Sequence, residues 1–249
     1  MPVKRFVILA APRTGSNLLC TLLNSHPWIL CHHEVFNPRG IFYAIDHRDG
    51  SIDLGTVTER DRAPVIFLER LWHETKGKRH VGFKMTSGQH ADILNRVLGD
   101  DSVQKIILSR ANRVRTYVSY QLATRTDQWE VYDERVLARE VPRLKIDARE
   151  LKAHAESNAA YYAELEATLH STGQSWLAVD YQGLLLRTTH ERLLAYLDAG
   201  PAPLLATSVR QNPWQLESLI ENFDELAAVL ESSDYHAELH ERQEMADDG

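Results

Sequence analysis

Several common signatures are missing from these 249 residues, and each absence narrows the reading. No G-x-x-x-x-G-K-[ST] run occurs, which argues against an ordinary ATPase loop with its phosphate-binding lysine and magnesium-binding hydroxyl. Cysteine is scarce: Cys20 and Cys31 are the only two, which fits small core or near-site residues in a reducing cytoplasm rather than a disulfide framework. Nothing approaches about 18 consecutive apolar residues, so neither a membrane-spanning helix nor a secretory signal is expected. Basic charge is not in excess. The net charge of −7 argues against nonspecific nucleic-acid binding and requires a local basic cluster for any anionic ligand. Internal repeats and low-complexity tracts are lacking as well. What is present, 43% hydrophobic and 25% charged residues, suits one sizeable domain over 1–249 with its own core.

The most informative stretch runs from Arg5 to Pro27. Phe6-Val7-Ile8-Leu9 is too short for a helix and β-branched enough for a buried strand, and Pro12 stops its pairing. Arg13-Thr14-Gly15-Ser16-Asn17 follows, small and polar, with one glycine where the backbone must turn tightly. Leu18, Leu19, Leu22 and Leu23 then recur at helical spacing until Pro27. Strand, tight polar turn and helix start together make an anion site. The free N–H groups of the first helical turn face the ligand, and the helix dipole adds roughly +0.5 charge there. Arg13 contributes a full charge and a planar fork that matches oxyanions.

Trp28–Cys31 reads as a short strand, which puts His32, His33 and Glu34 at the strand edge where open α/β sheets bind ligands. Adjacent histidines on extended chain point to opposite faces, so no metal is expected on His-His-Glu. Residues 39–62 read as a long irregular excursion, a form common in lids and substrate-binding elements. A helix is predicted from Pro64 to about Lys76, and strands over His80–Met85, Gln104–Leu108 and Ser175–Val179 alternate with further helices. One of these, from about Thr189 to Leu197, carries a capping pattern at Thr188-Thr189 and Glu191. This alternation argues for a parallel sheet with helices on both faces. Arg110 sits just past a strand end, and a helix capped by Asn112 carries Ser119 about two turns in. Arg110, Arg113 and Arg115 make the strongest positive focus of the chain. Residues 124–146 are a second excursion, and 238–249 an acidic, frayed tail.

Pro12-Arg13-Thr14-Gly15-Ser16-Asn17-Leu18-Leu19 resembles the 5′-phosphosulfate loop of sulfotransferases, whose donor is 3′-phosphoadenosine 5′-phosphosulfate. Ile106-Ile107-Leu108-Ser109-Arg110, with Ser119 further on, resembles their 3′-phosphate motif. The Arg-Thr-Gly-Ser form, Gly82-Phe83-Lys84-Met85, and Arg210-Gln211-Asn212-Pro213 followed by Ile220–Leu226 look like the bacterial carbohydrate sulfotransferases that act on trehalose and nodulation factors. The resemblance implies a P-loop-type α/β fold, a three-layer sandwich of parallel sheet and helices. It implies transfer of a sulfuryl group to a hydroxyl of a small-molecule or glycolipid acceptor without a metal. Arg13, Thr14, Gly15, Ser16 and Asn17 would hold the 5′-phosphosulfate; Arg110 and Ser119 the 3′-phosphate, with Arg210 helping. Glu34 aligns with the family's general base, and His33, next to it, competes for that role. Lys84 either touches the donor's bridging oxygen or is a charged strand terminus. The family's Tyr-Glu after the late strand is replaced by Asp180-Tyr181-Gln182, which leaves the part played by Asp180 open. The two excursions would shape the acceptor pocket, and relatives include homodimers. Two rival readings compete with this one. Trp176–Asp180 also looks like the strand and metal-binding aspartate of a P-loop phosphotransferase or nucleotide kinase, and a catalytically inactive nucleotide-binding protein would keep the same motifs.

Overall fold

The computed structural model describes residues 2–133, 135, 141–207 and 215–241. The expected helper Arg210 lies outside the described residues. By internal contacts the chain divides into two compact units, Met1–Arg110 with Tyr161–Thr207, and Ala111–Ala160 with Ser208–Gly249.

The first unit is built on a parallel sheet. Its strands are β1 (Lys4–Ala10), β2 (Ile29–His32), β3 (His80–Thr86), β4 (Val103–Ser109) and β5 (Trp176–Asp180), in the spatial order β2-β3-β1-β4-β5. Every neighbouring pair is parallel. Strand alternation sends Phe6, Ile8 and Ala10 into one apolar core and Val7 and Leu9 into another. The first core is closed by α1 (Ser16–Asn24) and, later in the chain, by α7 (Arg187–Leu197). Into the other pack Phe67, Leu68, Leu71 and Trp72 of α3 (Pro64–His73), Ile93, Val97 and Leu98 of α4 (Ala91–Gly99), and Leu165 and Leu169 of α6 (Ala148–Ser171). The three-layer arrangement expected from the alternation of elements is therefore present in this unit. Burial on both faces explains why β1 is a continuous apolar run. Its Phe6–Leu9 are fully buried, contributing about 1.5–3 kcal/mol each in transfer free energy. Register fixes Gly82 beside Phe6, whose ring would stand 2.4 Å from a Cβ at position 82.

The excursion at 39–62 is more regular than its composition suggested. It contains a single 3₁₀ turn at Ile45–His47 and the short helix α2 (Val57–Arg62). Helix α2 starts on a capping box: Thr56 Oγ1 accepts from the Glu59 amide at 3.3 Å, and the Thr56 amide donates to Glu59 Oε2 at 2.8 Å. Helix α3 ends at His73, earlier than expected, because Lys76 (φ 49) and Gly77 (φ 76) turn the chain. Helix α7 begins at Arg187 with Leu186 at its cap position and no side-chain cap, so the expected Thr188–Glu191 capping is not used.

The second unit packs the start of α6 with α5 (Arg113–Thr126), α8 (Leu216–Leu219), α9 (Phe223–Leu230) and α10 (Asp234–His240). Asn112 caps α5, its side chain accepting from the Arg115 amide at 2.7 Å. Within the 124–146 stretch Leu144 forms a parallel bridge with Ile220. Glu238, expected to begin a frayed tail, is anchored instead: Arg113 Nε donates to its Oε1 at 2.7 Å and Asn112 Nδ2 to its carbonyl at 2.8 Å. That pairing also corrects the expected positive focus, because the charge of Arg113 is matched locally by Glu238.

Candidate active site

The turn after β1 is shaped by its backbone. Arg13 has φ 67 and Gly15 φ 92, and Thr14 between them is not among the positive-φ residues. Alternating φ signs turn successive N–H groups to one side and build an anion-binding nest. Placing a non-glycine residue such as Arg13 there costs on the order of 1 kcal/mol, which the surroundings must offset. They do so through a closed set of hydrogen bonds. Thr14 Oγ1 donates to the Ala11 carbonyl at 2.8 Å, the Ala11 amide donates to Tyr162 Oη at 2.9 Å, and Tyr162 in turn donates to the Leu108 carbonyl at 2.8 Å. At position 15 a Cβ would lie 2.4 Å from the Tyr181 ring, so glycine is required both by conformation and by space. Helix α1 starts directly after it, aligning its dipole with the turn. Partial burial pushes the Arg13 guanidinium down to about 10, which leaves it charged at neutral pH.

Arg110 follows β4, whose Leu108 pairs with Ala10 of β1. Its Nη1 donates to the Arg13 carbonyl at 3.3 Å, and its guanidinium stacks 4.3 Å from the centre of the Tyr181 ring. The two arginines that were expected to grip one ligand are thus neighbours, with Tyr181 covering both Gly15 and Arg110. Ser119 is buried on α5 in the second unit.

Glu34 follows β2 on a turn beside the same sheet edge. Its Oε1 lies 2.9 Å from Lys84 Nζ, and its Oε2 accepts from Asn37 Nδ2 at 2.7 Å and Gln89 Nε2 at 2.6 Å. An ammonium and two amides fix this carboxylate in place. Lys84 also donates to Ser16 Oγ at 3.3 Å and to Asn17 Oδ1, tying the carboxylate to the turn after β1. It lies inside β3 and is 3% exposed, so the alternative of a charged strand terminus is discarded. His33 has no exposed surface, and burial, reinforced by the positive charges of Lys84 and Arg48, holds its imidazole well below the ordinary range. His32 is pushed down to about 3 by burial, with its Nδ1 accepting from the Ala44 amide at 3.2 Å.

Sequence reasoning passed over Asn37, Gln89, Tyr162 and the ring of Tyr181. Position at a strand end was the available signal for Gln89 and Tyr181, and nearness to Glu34 for Asn37; Tyr162 acts through distant partners and carries none. The sequence also contains His-Ala-Glu-Leu-His on α10, where His236 and His240 lie 4.6 Å apart. The described residues contain no group of three or more side chains able to hold a metal. No described helix is long and apolar enough to cross a membrane.

The alternating turn between β1 and α1, a second arginine after the neighbouring strand and a fixed carboxylate lie together at one edge of a parallel α/β sheet. No family model matches the chain. It is 29% identical over 233 residues to Nodulation protein H of Rhizobium tropici, covering 89% of this chain and 87% of that protein. It is 29% identical over 132 residues to Nodulation protein H of Rhizobium meliloti (strain 1021), covering 52% and 51%. The solved sulfotransferase from Alicyclobacillus acidocaldarius shares the fold, with a TM-score of 0.51 and 18% identity over 98% of this chain and 97% of that one. The chain is thus similar in sequence to Nodulation protein H over most of its length and shares its fold with a solved sulfotransferase.

Proposed function

We propose that this protein is a sulfotransferase that uses 3′-phosphoadenosine 5′-phosphosulfate as donor and a hydroxyl of a carbohydrate or glycolipid as acceptor. The observation that carries the proposal is the direct link from Glu34 through Lys84 to Ser16 and Asn17 of the turn after β1. A base for the acceptor and a cradle for the donor are joined by one buried ammonium.

The donor, when bound, supplies an activated sulfuryl group. Arg13 and the amides of Thr14, Gly15, Ser16 and Asn17 hold its 5′-phosphosulfate, as the alternating turn geometry supports. Arg110 and Ser119 hold the 3′-phosphate, with Arg210 assisting; the motif order in the sequence supports these three. Glu34 takes the proton of the acceptor hydroxyl while that oxygen bonds to sulfur and the sulfur–bridging-oxygen bond breaks. Arg13 and the turn amides stabilise the charge left on the departing phosphate. Positioning and electrostatics dominate, as in phosphoryl transfer. Glu34 is preferred over His33 because its side chain is 20% exposed whereas His33 is fully enclosed. The chain is read as one catalytic domain over 1–249, in a cytoplasmic homodimer. Free, buried Cys20 and Cys31 fit that compartment, and the dimer rests on the resemblance alone.

The test is transfer of radiolabelled sulfate from the donor to trehalose, chito-oligosaccharides, a glycolipid and a phenol. Label is expected in at least one saccharide, without added metal. Magnesium-dependent ATP turnover, or tight binding of the desulfated donor with no transfer, would reject the proposal.

A further inference from the structure

Arg60, on α2, is 2% exposed. Enclosing a guanidinium is costly unless its donors are met, and the nearest carboxylate, Asp61, is itself half-exposed at 49%. The compensation comes from elsewhere. Arg60 Nη1 donates to the carbonyls of Val35 at 2.9 Å, Asn37 at 2.9 Å and Gly40 at 3.1 Å, while Nε donates to Asp61 Oδ1 at 2.8 Å. The guanidinium also stands 6.0 Å from the centre of the Phe36 ring. All three carbonyls belong to the turn that follows β2. Glu34 opens that turn, its own carbonyl accepting from the Asn37 and Phe42 amides at 3.2 and 3.3 Å. Asn37, whose carbonyl Arg60 holds, places its Nδ2 on the Glu34 carboxylate.

We propose that Arg60 is a positioning residue for sulfuryl transfer, gripping the backbone of the turn so that Glu34 is presented to the acceptor hydroxyl. The assignment rests on the reading of Glu34 as base. A planar cation reaching three carbonyls of one turn fixes its curvature from outside, and the contact runs from the long 39–62 excursion to the base. Small displacements of a catalytic group are expensive in rate, so the loss appears in turnover rather than in donor affinity.

The experiment compares Arg60→Met, Arg60→Lys, Glu34→Gln and the Glu34→Gln/Arg60→Met double variant in the full chain. Turnover is read as labelled sulfate transferred to trehalose, affinity as the Kd for 3′-phosphoadenosine 5′-phosphate, and turn rigidity as hydrogen exchange. For Arg60→Met we expect turnover about 10–100-fold lower and Kd within about twofold. Amides of residues 34–42 should exchange at least about 10-fold faster, while those of the turn after β1 keep their wild-type rates. Arg60→Lys, which keeps the charge and three donors, should recover most of the turnover. In the Glu34→Gln background Arg60→Met should cost less than about twofold more, because the two act through one group. An equal loss in both backgrounds, unchanged exchange, or nucleotide affinity lost in step with turnover would overturn the proposal. Full turnover in Glu34→Gln would instead remove the base assignment, and the exchange data would still decide whether Arg60 holds the turn. If wild-type protein does not sulfate trehalose, the same exchange comparison decides whether Arg60 holds the turn, and Arg60→Gln, which lacks the charge, replaces Arg60→Met if that variant does not fold.

Discussion

Two turns at the same sheet edge are built in opposite ways. The turn after β1 makes its site from its own backbone: left-handed Arg13 and Gly15, and the first amides of α1. The turn after β2 makes its site from side chains sent by distant elements. Lys84 comes from β3, Gln89 from the loop beyond it, and Arg60 from α2. A site made of backbone tolerates sequence change wherever φ and space are respected. A site made of converging side chains fails at any one of its contributors.

That contrast orders the expected effects of mutation. The largest belongs to the side-chain turn. Glu34→Gln is expected to lower turnover by about 10²–10⁴-fold while the Kd for 3′-phosphoadenosine 5′-phosphate stays within about twofold. Retained turnover, with His33→Ala abolishing it, would move the base to the histidine. The backbone turn should answer in stability. Gly15→Ala puts a Cβ against the Tyr181 ring at φ 92, and should lower the unfolding free energy by about 1–3 kcal/mol in thermal melts. An unchanged melting temperature would mean that the turn relaxes freely and is not the rigid cradle described.

The smallest effect is one of pH. His32 is held down to about 3 in the folded state and His33 well below its ordinary value, so both stay neutral where the unfolded chain binds protons. Below the unfolded value near 6.5 the unfolded state takes up more protons, and stability falls as the pH drops toward 3. His32→Asn should flatten that slope in denaturant titrations at pH 4–7, and an unchanged slope would assign the acid sensitivity elsewhere.

The same contrast explains what was legible in the sequence. Strand β1, its turn and α1 are contiguous, and their signals are local: an apolar run, one glycine and leucines at helical spacing. The sheet followed from the same alternation, repeated along the chain. Glu34 was legible only by its place after a strand and by resemblance. Its partners Lys84 and Gln89 are far off in sequence, and only strand pairing of β2 with β3 brings them to it. Lys84 was misread as a possible terminus because a charged residue inside a parallel strand is rare unless paired. Arg60 looked like one more charge in a polar excursion, and no local pattern distinguishes a buried arginine from a solvated one. Arg113, counted with Arg110 and Arg115 as the chain's positive focus, is matched by a glutamate from the far end of the chain.

The most direct measurement is calorimetric titration of wild-type and Arg110→Ala protein with 3′-phosphoadenosine 5′-phosphate and with 5′-AMP. If Arg110 grips the 3′-phosphate beside the Arg13 turn, the substitution weakens the bisphosphate by about 1.5–3 kcal/mol and leaves 5′-AMP within about threefold. Equal losses for both nucleotides, or no loss for either, would contradict the donor site proposed for this protein.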